Sequence, residues 1–175
     1  MKLPLLYYGH PILRKKCEPI TEITDDLKKL VADMIETMEA NDGVGLAAPQ
    51  VGRPIRLFIL CDYTEEEDGS LSMSKPKVYI NPKLINPSSD VVEDIEGCLS
   101  IPGLRENVVR PWKILVEAMD LEGNTFQEEI EGYNARCRMH ENDHLNGVLY
   151  VDRVDAATKK KLEPVLKQMK KKYNP

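Results

Sequence analysis

Apolar residues recur every three or four positions between Asp25 and Ala40, at Leu27, Leu30, Val31, Met34, Ile35 and Met38. That stripe predicts an amphipathic helix with one face in a core. Thr24 or Asp25 can cap its start, and Asn41-Asp42-Gly43 supplies a stop. The period then changes. Apolar and β-branched runs at Ile55 to Leu60, Val78 to Asn81 and Val91 to Glu93 predict short strands, and Lys113 to Met119 joins Thr125 to Ile130 across Leu121-Glu122-Gly123-Asn124 as a hairpin. The polar stretch from Asp62 to Pro76, with Glu65-Glu66-Glu67-Asp68-Gly69-Ser70, predicts a loop or hairpin tip between strands. A second helix is expected from Tyr133 to a stop at Gly147. A third follows at the C-terminus, where Leu162, Val165, Leu166 and Met169 share one face and Pro164 falls near the first turn or at a kink. The expected fold class is α+β, with small mixed or antiparallel sheets packed around a central helix, flanked by an N-terminal and a C-terminal helix.

Composition narrows the picture. The 175 residues, 42% of them hydrophobic, suit one globular domain spanning 1–175. No apolar run is long enough for a bilayer, and Met1-Lys2-Leu3-Pro4 is not followed by a signal-peptide core, so a cytoplasmic protein without membrane partners is expected. Cys17, Cys61, Cys98 and Cys137 show no framework spacing, which points to free thiols in a reducing compartment. Net charge is −5, yet Lys159 to Lys172 holds seven lysines against Glu163 alone. A solvated helix face explains that run most simply. The sharper expectation is a contact with ribosomal RNA, electrostatic and without sequence specificity.

The chemistry centres on His140-Glu141-Asn142-Asp143-His144, an H-E-x-x-H segment that uses two of only three histidines. On a helix, positions i and i+4 share a face, so His140 and His144 can grip one metal ion with Glu141 beside it as general base. The third ligand is open between three sources. The longer protease pattern H-E-x-x-H-x-x-G-x-x-H is met through Gly147 but ends on Tyr150, a poor ligand. Glu163 could serve from a later helix, although it sits in a lysine-rich run. Cys98, in Glu96-Gly97-Cys98-Leu99-Ser100, would give a thiolate with two imidazoles and leave one position for water.

Gly43-Val44-Gly45-Leu46-Ala47-Ala48-Pro49-Gln50, then Glu96-Gly97-Cys98-Leu99-Ser100, then His140-Glu141-Asn142-Asp143-His144 resemble, in order, the three signature motifs of the peptide deformylase family. The resemblance runs from about Pro11 to Arg153. It implies an enzyme that removes the formyl group from the N-terminal formyl-methionine of nascent polypeptides and releases formate. It further implies Cys98, His140 and His144 as ligands of one divalent metal ion, ferrous iron in the cell, with zinc, nickel or cobalt as substitutes in a purified sample. Glu141 would move the proton, while the Gln50 amide and the Leu99 N–H would stabilise the oxyanion. Val44, Gly45, Gly97, Arg105, Tyr133 and Cys137 would line the substrate cleft, with Ile95 helping to close it. Arg110 would pair with Asp143 behind the metal helix. Met139, where many members carry Gln, and Asn142 depart from the usual pattern without removing a reactive group. Two other classes share part of the pattern. A zinc endopeptidase would keep its metal without Cys98, and a structural metal module would need a fourth protein ligand.

Overall fold

The computed structural model describes residues 1–175. In helix α1 (Asp25–Ala40) the Thr24 hydroxyl accepts the Leu27 N–H at 3.1 Å, and Asp25 and Asp26 occupy the first turn, where the helix dipole favours them. Its stripe buries Leu27, Leu30, Val31, Met34 and Met38. Each such side chain contributes roughly 1.5–3 kcal/mol by leaving water.

The strands follow as β1 (Gly45–Ala47), β2 (Leu57–Leu60), β3 (Tyr63–Glu65), β4 (Leu71–Met73), β5 (Lys77–Ile85), β6 (Val91–Cys98), β7 (Ile101–Pro111), β8 (Lys113–Met119) and β9 (Thr125–Glu131). Five of them form one sheet in the order β1-β2-β5-β8-β9, every neighbour antiparallel. Leu57-Phe58-Ile59-Leu60 is buried without a break because both faces of this sheet are covered. Leu57 and Ile59 face α1, whereas Phe58 and Leu60 join Tyr79, Ala135 and Met139 under the second helix, α2 (Tyr133–Leu145). Two hairpins stand apart, β3-β4 and the longer β6-β7. The final helix, α3 (Ala156–Tyr173), buries Leu162, Leu166 and Met169 with Ile101 and Val108 of β7 and with Leu149 to Val151.

Two expectations change and one holds. Strand β6 continues past Glu93 to Cys98, paired along its length with β7, which the hydrophobic pattern does not predict. Polar residues keep those positions from alternating cleanly, so the ladder, not burial, holds them. Pro164 lies inside α3 rather than in its first turn, so the Lys160 carbonyl loses its i+4 donor. The polar stretch 62–76 does form a hairpin, closed by Glu66 to Ser70.

Candidate active site

Helix α2 carries buried polar residues on several sides, among them Arg136, Arg138, Glu141, Asp143 and His144. A helix of this kind holds together only if each buried group has a partner. Its end is fixed by Gly147, at φ +72°, where a Cβ would come within 2.4 Å of the Arg14 carbonyl oxygen. No other residue fits that approach.

The β6-β7 hairpin turns through Leu99-Ser100, with a register shift between Gly97 and Cys98, and so delivers the Cys98 thiol to α2. Cys98 Sγ lies 3.4 Å from His144 Nε2, and the thiol and both imidazoles offer ligand atoms within 4.8 Å of one another. Ligand atoms of a tetrahedral site with ordinary Zn–S and Zn–N bonds stand ~3.6 Å apart. The trio therefore fits a single metal ion. Tyr150 instead lays its ring alongside His140, centroids 6.0 Å apart, and donates its hydroxyl to the Leu104 carbonyl.

Glu96 organises the far side of the imidazoles. Its Oε1 meets His140 Nδ1 at 2.8 Å, which leaves Nε2 as that ring's free nitrogen. The same carboxylate receives Arg110 at 2.6 and 2.9 Å and Arg136 at 2.6 Å. Burial alone would raise the Glu96 pKa, but His140 and Arg110 hold it well below the usual carboxylate range. Arg110 also reaches Asp143 at 3.0 Å, as expected, and Arg153 adds a second grip on Asp143 at 2.6 and 2.8 Å.

On the open side, a cleft of about 380 Å³ is lined by Val44, Gly45, Gly97, Arg105, Tyr133 and Cys137 together with Gln50, Cys98, Leu99, His140 and Glu141. Every residue expected to line it does so except Ile95. Strand alternation points Glu96 inward, so Ile95 faces out and is exposed. A Cβ on Gly45 would sit 2.9 Å from Glu141 Oε1, which makes glycine the residue that leaves room for this carboxylate. Burial pushes the Glu141 pKa up to about 7 against the opposing pull of His140, and its Oε2 is buried without a protein partner. Gln50 Oε1 accepts the Ala47 N–H at 2.9 Å, so its amide NH2 must point the other way, to Ser100 Oγ at 3.1 Å and Cys98 Sγ at 3.5 Å. The Gln50 donor is aimed before any ligand arrives.

Two neutralisable imidazoles, a thiol, a buried carboxylate and an aimed amide around one cleft define a metal-dependent hydrolase. Comparison with known proteins gives the particular kind. The family model described as polypeptide deformylase matches residues 2–160. A peptide deformylase of Salinibacter ruber is 42% identical over 174 residues, covering 97% of this chain and 89% of its own. One from Psychrobacter arcticus is 45% identical over 150 residues, covering 86% of this chain and 78% of its own. The crystal structure of peptide deformylase from Thermus thermophilus superposes with a TM-score of 0.86 at 38% identity, covering 98% of this chain and 99% of that one. The chain belongs to the polypeptide deformylase family. It is a metal-dependent hydrolase that removes the formyl group from the N-terminal formyl-methionine of newly made polypeptides.

The ion-pair network is the part of the site least visible in sequence. Glu96 and Ser100 flank Cys98 within its motif, but nothing local says that the first grips His140 and the second accepts from Gln50. Arg136, four residues before His140, was detectable as sharing its face. Arg153 carried no signal.

Proposed function

We propose that Cys98, His140 and His144 hold one divalent ion, ferrous in the cell and replaceable by zinc, nickel or cobalt, and that Glu141, Gln50 and Leu99 perform the hydrolysis beside it. When bound, such an ion lowers the pKa of a coordinated water toward neutrality and polarises the formyl carbonyl. Glu141 takes the proton of the attacking water and returns it to the methionine nitrogen as the C–N bond breaks. Negative charge gathers meanwhile on the formyl oxygen. The Gln50 amide, pinned by Ala47, and the Leu99 N–H at the β6-β7 turn donate to it, and losing one such donor costs about 3–4 kcal/mol of barrier.

The methionine side chain enters the cleft between Val44, Gly45, Gly97, Tyr133 and Cys137, with Arg105 at its rim. Strand β1 is an outer strand of the five-stranded sheet, so the peptide main chain can add alongside it. The convergence of thiol, imidazoles, carboxylate and aimed amide supports these roles more than any one residue does. Residues 1–175 work as one catalytic domain in the cytoplasm, where formylated chains emerge. Lys160, Lys167 and Lys171 on the exposed face of α3 would touch ribosomal RNA there.

Formate release from formyl-Met-Ala-Ser by oxygen-free, ferrous protein tests the site. Glu141→Ala is expected to abolish release while keeping the metal, and Cys98→Ala to lose both. Metal retained without Cys98 would move the third ligand elsewhere. For the ribosome, reversing Lys160, Lys167 and Lys171 to Glu should weaken co-sedimentation at low salt; unchanged co-sedimentation would remove that contact.

A further inference from the structure

Residues 5–8 run between the catalytic cleft and the end of α3. Their backbone ties together the two loops that carry Gln50 and Leu99: the Leu6 N–H donates to the Gln50 carbonyl and the Tyr8 N–H to the Ser100 carbonyl, each at 2.8 Å. Ser100 Oγ in turn accepts the Gln50 amide at 3.1 Å, which closes a ring of hydrogen bonds behind the cleft. Leu99 is the next residue along the chain from that ring. On its outer side the same segment meets the last turn of α3. Tyr7 stacks on Tyr173, with ring centroids 4.3 Å apart and the planes 22° from parallel. The Asn174 amide donates one hydrogen to the Tyr8 carbonyl at 2.9 Å and the other to the Lys170 carbonyl at 3.0 Å, so it joins the segment to the helix. Tyr7 lines the cleft, whereas Tyr173 and Asn174 do not.

We propose that Tyr173 and Asn174 are positioning residues for the hydrolysis: the end of α3 clamps residues 5–8, and through them holds the Gln50 amide and the Leu99 N–H in register with the formyl oxygen. This rests on those two groups serving as the oxyanion donors. Donors of this kind work by being fixed before charge develops, and a misplacement of about 1 Å can cost roughly 100-fold in rate. No helix or strand includes residues 5–8, so side-chain contacts carry the task of fixing them. The stack and the two amide bonds supply those contacts from α3. They reach the donors only through the backbone of Leu6 and Tyr8, at a distance from the substrate.

The test is steady-state kinetics on formyl-Met-Ala-Ser with the ferrous holoenzyme and with Tyr173→Ala, Tyr173→Phe and Asn174→Ala, each also combined with Gln50→Ala, with bound metal measured throughout. Tyr173→Ala and Asn174→Ala should each lower kcat about five- to twentyfold and leave KM and metal content within about twofold. Tyr173→Phe should keep the full rate, because the stack needs the ring and not the hydroxyl. In Gln50→Ala the further change Tyr173→Ala should lower kcat by about threefold at most, since part of what the clamp positions is already gone. Should Tyr173→Ala fail to fold, Asn174→Ala, which removes two hydrogen bonds and little packing, decides alone. Equal losses with and without Gln50, a loss in KM or metal content in place of kcat, or an unchanged kcat would overturn the clamp. If Gln50→Ala by itself left kcat unchanged, the donor reading would fall and the clamp with it.

Discussion

Arg136 and Arg138 are two residues apart on α2, both almost wholly enclosed, and they face opposite ways. Arg136 shares Glu96 with Arg110 and donates to the carbonyls of Val92 and Val108. Arg138 is wrapped by Asp62, Glu128 and the Tyr79 hydroxyl, at 2.6–3.1 Å, and lies over the Tyr79 ring. The chemistry of the two clusters is alike. Their outputs differ, because the carboxylate on the first side also grips His140, whereas those on the second tie α2 to the sheet and to the base of β3-β4. A buried ion pair adds little net stability by itself, since desolvation offsets most of the attraction. What the pairing fixes is position: the His140 ring on one side, a hairpin on the other.

The sharpest way to break that contrast is Glu96→Ala. It strands Arg110 and Arg136 and frees the His140 ring, so we expect a loss of about 3–5 kcal/mol in urea unfolding. Metal affinity should fall about 10- to 100-fold in a chelator competition. Arg138→Met should cost about 3 kcal/mol on the same scale by leaving Asp62 and Glu128 with Lys77 as their one remaining cation, yet it should retain the full metal content. Metal loss in this variant would show that the two sides are not separable.

Acid titration sharpens the second cluster. Burial would raise the Asp62 pKa, but Arg138 and Lys77 together hold it below its ordinary value. A carboxylate with a lowered folded pKa stabilises the protein above its unfolded pKa, near 4, and that contribution is lost as pH falls through the folded value. Asp62→Asn should therefore lower stability at neutral pH and flatten the fall in melting temperature below about pH 4. The smallest effect belongs to Arg153→Ala. Its side chain is 45% exposed and Asp143 keeps Arg110, so a loss under about 1 kcal/mol with no change in metal content is expected.

These clusters also mark where sequence stops speaking. Helix α1 and the β8-β9 hairpin were legible because one face of each is apolar at the right period. Helix α2 was legible for another reason: its apolar pattern is weak, but His140, Glu141, His144 and the Gly147 stop place it. Strand β7 escaped because Pro102, Gly103 and alternating charges obscure its pattern, and β1 because three residues inside a glycine-rich motif carry no period. Arg138 reads as a solvated helix residue. The approach of Asp62, 76 positions earlier in the chain, together with Tyr79 and Glu128 of the sheet, explains why it is enclosed.

The outer strands of the five-stranded sheet have one further consequence. A strand with unpaired N–H and C=O groups invites self-association, and the two outer strands here are guarded differently. Strand β9 is seven residues long and presents Glu129 and Glu131 to solvent, so like charges repel a second copy. Strand β1 is left uncharged but is only three residues long. That length offers too few backbone bonds to template another sheet, while matching the span of a short peptide end; brevity protects the molecule from its own kind at the one edge it leaves open.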